Sequence, residues 1–221
     1  MEREQFLARL RERLAAASPA VGSAHPPIAY EGVATAAYCQ PLHDLPAAFA
    51  EEAAANGVQV RRIAGGAGIA ALLAEVIGVH GVRTAVLSGD PETEGVAAQL
   101  EALGVEVLRW PGAESAAAAD LGVTGAAFGI AATGSIVVDA RRAGGRTASL
   151  LPPVHLALFA ETALLATPAD LWRDMARAFP GGPPSQAVVI SGPSKTGDIE
   201  LVLVTGVHGP GHLWVGLLEA E

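Results

Sequence analysis

Apolar positions along the chain recur first at helical spacing and then in short runs. Phe6, Leu10 and Leu14, with Leu7 beside them, form one stripe of an N-terminal helix. Residues 18–32, with Pro19, Pro26 and Pro27, carry no such stripe and read as an exposed arm. Asp44 precedes Leu45, Ala48 and Phe49 and is placed to cap a helix that ends at Asn56. A regular alternation follows: a strand over 58–63, a helix over 68–79, and a strand over 84–88 closed by Gly89-Asp90-Pro91. A helix over 92–103 and a strand over 105–108 complete it. Strands separated by helices of this length build βαβ units, so a parallel sheet covered on both faces is expected. The pattern divides the chain into a helix and arm over 1–40 and a single α/β domain over 41–221.

The second half changes character. Strand-like runs lie at 123–130, 135–139, 147–151 and 155–159. Thr133-Gly134, Gly144-Gly145 and Pro152-Pro153 separate them, too closely for intervening helices. Antiparallel or mixed pairing is expected there. Thr167 is positioned to cap a helix through Phe179. Strands are then expected at 187–190, 199–205 and 213–218, and the run Leu201-Val-Leu-Val204, apolar on both faces, reads as a central strand.

Composition narrows the class. The chain is 51% hydrophobic and 17% charged, which excludes intrinsic disorder. Fourteen Lys and Arg against 23 Asp and Glu give a net charge of −9, with no basic patch of the kind nucleic acids require. The one cysteine, Cys39, excludes an internal disulfide and any Cys-rich zinc or iron–sulfur centre within the chain. No G-x-G-x-x-G follows a strand, so no metal or organic cofactor is expected. The most apolar stretch, 66–79, contains Glu75 and is shorter than the roughly 20 residues of a membrane span. The N-terminus has no unbroken apolar run, so it does not read as a signal peptide and a cytoplasmic location is expected.

Three polar clusters carry the candidate chemistry. Residues 190–200 gather Ser191, Gly192, Ser194, Lys195, Thr196, Gly197, Asp198 and Glu200 between two apolar strands. Such a loop can turn several N–H groups toward an anion, with Lys195 adding a charge, and Asp198 and Glu200 could pair as carboxylates. The sequence is not a P-loop, and the simpler alternative is a solvated turn. The second cluster sets Arg141, Arg142 and Arg146 before Ser149-Leu-Leu-Pro-Pro-Val-His155. Its arginines suit a carboxylate or phosphate, or merely keep a hairpin tip soluble; His155 is a candidate base or a bonded core histidine. The third is Gly206-Val-His208-Gly-Pro-Gly-His212, whose glycines and proline forbid the helix that would make His208 and His212 metal ligands. The small-residue stretch 122–137 offers the hydroxyls of Thr124, Thr133 and Ser135 around Gly134.

Thr133-Gly-Ser-Ile-Val137, Ser149-Leu-Leu-Pro-Pro-Val-His155, Gly192-Pro-Ser-Lys-Thr-Gly-Asp-Ile-Glu200 and Gly206-Val-His-Gly-Pro210 occur in the order and spacing of the LUD-domain family. The sequence resembles that family closely over 120–218, and before that by length and alternation alone. The resemblance implies a three-layer α/β/α fold with a mostly parallel sheet, like that of ribose-5-phosphate isomerase, glucosamine-6-phosphate deaminase and the CoA transferases. It also implies a part in oxidising L-lactate to pyruvate beside iron–sulfur protein subunits. Family members commonly carry acidic residues where this chain has Ala127 and Ala132, which favours a binding subunit or a divergent substrate. The other class of function is a stand-alone enzyme or binding protein for a phosphorylated, nucleotide or CoA-linked metabolite, which rests on fold analogy. The expected ligand is a small anion in one cleft at the C-terminal ends of sheet strands. Thr133, Gly134, Ser135, Arg146, Ser149, Gly192, Ser194, Lys195 and Thr196 would bind it, with His155, Asp198, Glu200 and His208 as candidates for catalysis.

Overall fold

A computed structural model describes residues 3–21, 42–108, 113–173, 179, 184–197 and 203–219. Two units divide at residue 38: Met1–Tyr38 and Cys39–Glu221. In the first, helix α1 (Arg3–Val21) continues through Pro19, past the point where the arm was expected to start. The remainder of the arm lies outside the described residues.

The second unit is built on six strands: β1 (Gln59–Ile63), β2 (Thr84–Leu87), β3 (Glu106–Val107), β4 (Leu121–Gly125), β7 (Val154–Ala160) and β12 (His212–Leu218). Their order is β1-β12-β7-β4-β2-β3, and every pairing is parallel. Helices α3 (Gly65–His80) and α4 (Val96–Ala102) cover one face, where Leu72, Leu73, Val76, Val96 and Leu100 meet Ala85, Val123, Leu156 and Leu158. The opposite face takes α2 (Leu45–Ala55), α5 (Ala113–Ala118), α6 (Thr147–Leu150) and a second sheet. That sheet contains β5 (Phe128–Ile130), β6 (Ser135–Asp139), β8 (Leu164–Leu165) and β9 (Ala187–Ile190), in the order β8-β5-β6-β9. The fold is α/β, with a parallel sheet between two covering layers. Because β7 and β12 are buried on both faces, each reads as a continuous apolar run in sequence.

Asp44 caps α2 as expected, its Oδ1 accepting the Ala47 N–H at 3.0 Å. Three expectations are corrected. The run 123–130 is not one strand: β4 ends at Gly125 and β5 starts at Phe128 in the other sheet. Residues 147–150 are the helix α6, because Gly122 lets its backbone settle on β4; a Cβ at 122 would lie 1.8 Å from the Ala148 carbonyl oxygen. Lastly, the apolar run ending at Val204 is no central strand in its described part. Strand β11 (Leu203–Thr205) pairs, among the described residues, with β10 (Lys195–Gly197) as a two-stranded ribbon, and Val204 is exposed. The central places go to β7 and β12, whose longer runs fill both faces.

Candidate functional site

His155 is the second residue of β7, and its ring falls on the face that α6 and the second sheet cover. In register it lies between Leu213 of β12 and Gly122 of β4. Its Nε2 and the Thr124 hydroxyl are 2.9 Å apart, both side chains being fully buried. Burial drives the imidazole from 6.5 down to about 4, so it is neutral at pH 7. Among the described residues the bond with Thr124 is the one side-chain hydrogen bond of the ring, whose other polar atom is Nδ1.

Beside His155 opens a cavity of ≈ 260 Å³. Ser149 and Leu150 of α6, the strand β9 with Ser191–Ser194 after it, and His208–Pro210 complete its walls. Hydrogen bonds fix these loops to one another. The Ser194 N–H donates to Pro210 O at 2.9 Å, Gly206 N–H to Ser194 O at 2.9 Å, and His208 N–H to the Ser194 hydroxyl at 3.3 Å. Ser149 turns its hydroxyl to the Arg146 carbonyl at 3.0 Å, which closes the first turn of α6. The Ser191 hydroxyl lies 2.7 Å from that of Ser135, which in turn lies 2.7 Å from that of Thr133, so a chain of three hydroxyls runs back from the cavity wall. Behind it, Asn56 Nδ2 donates to the Thr133 carbonyl at 3.0 Å. Gly134, at φ +58, lies so close to α2 that a Cβ would meet the Ala53 nitrogen at 2.2 Å.

The four polar loops do gather in one place, but not at the edge expected of them. His155 and Leu213 stand at the amino-terminal ends of β7 and β12, so the cavity opens at the amino-terminal edge of the parallel sheet. The reason is directional: the polar stretches 149–153 and 206–211 precede their strands, and in a parallel sheet all such loops share one edge. Ser149, His155, Gly192, Ser194 and His208 line the cavity, whereas Thr133, Gly134 and Ser135 support it from behind. Lys195 turns away from the cavity. Its Nζ donates to the carbonyl of Asn56 at the C-terminal end of α2, at 3.0 Å, where a cation also meets the negative end of the helix. Thr196 belongs to the β10–β11 ribbon, and the exposed Arg146 contributes its carbonyl. Asp198 and Glu200 lie outside the described residues. Among the described residues no cationic Lys or Arg side chain lines the cavity.

The sequence offered the Thr124 hydroxyl without placing it among the expected ligand or catalytic residues, and Asn56 was missed. Nothing local marks Thr124, since its role comes from a diagonal neighbour across β4 and β7. Asn56 shows only as a helix end. Ala132 sits in the turn before Thr133, its N–H donated to Ala166 O at 2.9 Å.

The LUD-domain model matches residues 47–218. An uncharacterized protein of Neisseria meningitidis is 34% identical over 156 residues, 70% of this chain and 64% of its own length. A lactate utilization protein C of Halalkalibacterium halodurans is 37% identical over 99 residues, 44% of this chain and 43% of its own. The chain thus spans less than two thirds of the length of these relatives. In structure it resembles a DUF162 family protein of Deinococcus radiodurans with a TM-score of 0.58 at 23% identity, covering 81% of this chain and 100% of that one. That likeness establishes the fold.

Proposed function

The chain belongs to the LUD-domain family, and from that premise we propose that it serves lactate utilization as a subunit without a redox centre of its own. It supports the oxidation of L-lactate to pyruvate by iron–sulfur partner proteins in the cytoplasm, and the His155 cavity is its small-molecule site. Support for the role comes from relatives named lactate utilization protein C, three of which are 37% identical over the matched segment. One cysteine in the chain leaves the cluster ligands to the partners.

The observation that carries the site is a buried, neutral imidazole set among serine hydroxyls and apolar walls. A small hydroxy- or oxo-carboxylate suits it. Ser191 and Ser194 hydroxyls and loop N–H groups donate to the carboxylate, and His155 Nδ1 exchanges a hydrogen bond with the hydroxyl or oxo group. Leu150 and Leu213 take the methyl group. Lys195, bonded to the Asn56 carbonyl, takes no part in holding the carboxylate.

Two measurements test this. L-Lactate or pyruvate should raise the melting temperature of the chain, since a ligand of the folded state stabilises it, and Ser191→Phe should abolish the rise. Lactate oxidation with an artificial electron acceptor should appear only when the iron–sulfur partners are added, because removing electrons from a hydroxy acid needs a redox centre. Turnover by the isolated chain, or a ligand response confined to CoA or nucleotides, overturns the reading.

A further inference from the structure

At the other, carboxyl-terminal edge of the six-stranded sheet, the chain reverses its direction of travel. From β2 it moves outward through α4 to β3, then returns through α5 to β4 on the far side of β2. Val96 and Leu100 of α4 pack on one face with Ala85, while Ala116 of α5 packs on the other with Val86. The crevice between opposed crossovers, outside the carboxyl ends of the two strands, is where open α/β sheets take ligands.

Ser88 and Asp90 follow β2 and Gly125 ends β4, so all three stand at that point. Asp90 is 5% exposed. Its Oδ2 accepts the Ser88 hydroxyl and, at 3.0 Å, the Gly125 N–H. Its Oδ1 accepts no hydrogen bond from the described residues and faces Arg142 Nε at 3.8 Å. Arg142, which reaches in from the turn after β6, is one-third exposed and gives Nη2 to both oxygens of Glu92 at 2.6 and 2.7 Å. A guanidinium balanced by a partly exposed carboxylate therefore sits against a sunken carboxyl with an unused oxygen.

We propose that this cluster is a second binding site, for a small anion that carries a hydroxyl beside its acid group. Glu92 occupies the anion position until a ligand carboxylate or phosphate exchanges for it on Arg142, and the ligand hydroxyl donates to Asp90 Oδ1. The exchange is easy because one partly exposed carboxylate replaces another, and such pairs contribute little. Burial raises the Asp90 carboxyl above its ordinary range, against the Ser88 and Gly125 hydrogen bonds, which strengthens it as an acceptor. The site stands apart from the His155 cavity: Thr124 touches His155 and its neighbour Gly125 touches Asp90, but no residue lining the cavity belongs to the cluster.

Calorimetric titration of the full chain with glycolate, acetate and inorganic phosphate tests the proposal, on the wild type, Glu92→Gln, Asp90→Asn and the cavity-blocked Ser191→Phe. Glu92→Gln should tighten glycolate about two- to fivefold, the range set by a partly exposed ion pair. A misfolded variant cannot produce that gain. Asp90→Asn should remove the advantage of glycolate over acetate, and Ser191→Phe, which closes the His155 cavity to glycolate, should leave the binding at Arg142 and Asp90 intact. Tighter binding of phosphate than of glycolate in Glu92→Gln assigns the acid group as a phosphate. Unchanged or weaker glycolate binding in Glu92→Gln, or its loss in Ser191→Phe, overturns the proposal; the latter result would place the ligand in the His155 cavity and leave the reading of that cavity standing.

Discussion

At the amino-terminal edge of β7 and β12 stand a buried, neutral imidazole, serine hydroxyls and loop N–H groups. At the carboxyl-terminal edge of β2 and β4 stand charged groups, Arg142 among Asp90 and Glu92. The two edges are only one strand length apart, and Thr124-Gly125 of β4 contributes to both. The difference follows from burial. His155 is buried and is held neutral; Arg142 keeps solvent on one side and holds Asp90 and Glu92 in place. The two edges should therefore answer acid in opposite ways.

The largest effect expected at the amino-terminal edge is steric. Gly122→Ala places a methyl group on the Ala148 carbonyl, an obstacle of backbone rather than of a flexible side chain, and should cost about 3 kcal/mol in urea unfolding. Retention of wild-type stability would mean that α6 is not seated on β4 as described.

Next comes the pH response. The unfolded chain binds a proton to His155 at 6.5 and the folded chain only at about 4, so stability is present in full above pH 6.5 and is lost as the pH falls toward 4. The loss should approach about 3 kcal/mol over that window, at about 1.36 kcal/mol per unit. Asp90 has the opposite sign: its folded value is raised, so its contribution is greatest below 3.8 and declines as the pH rises through the folded value. Urea titrations from pH 4 to 7 on His155→Gln and Asp90→Asn separate the two slopes. A His155→Gln protein whose acid limb is as steep as the wild type's would contradict the buried, neutral imidazole.

A smaller effect is expected from the hydroxyl chain. Ser135→Ala removes the link between Thr133 and Ser191 and should cost about 1 kcal/mol while weakening the lactate response. The smallest belongs to Lys195. Lys195→Ala should lower stability by about 0.5 kcal/mol or less, an amount that shrinks as salt is added, and should leave lactate affinity unchanged. A clear loss of affinity would return Lys195 to the binding site.

The sequence by itself determined the elements whose signal is local. Alternating strands and helices over 58–108 implied the parallel sheet, and Asp44 marked the start of α2. The motif runs at 133–137, 149–155, 192–200 and 206–210 pointed to the family, and of the residues they singled out, His155, Ser149, Gly192, Ser194 and His208 line one cavity. Tertiary structure decided everything that depends on which surface a residue meets. A short aliphatic run has no periodicity to distinguish helix from strand, so the backbone contact with Gly122 made residues 147–150 a helix. Lys195 was equally fit for an anion or a helix end, and the nearness of Asn56 chose the latter. Ser88, Asp90 and Arg142 come from segments some 50 residues apart, and the order β4-β2-β3, set by long-range packing, put them at one switch point. A polar loop in sequence shows that an edge of the sheet carries chemistry; which edge follows from strand direction, and that is fixed only when the sheet assembles.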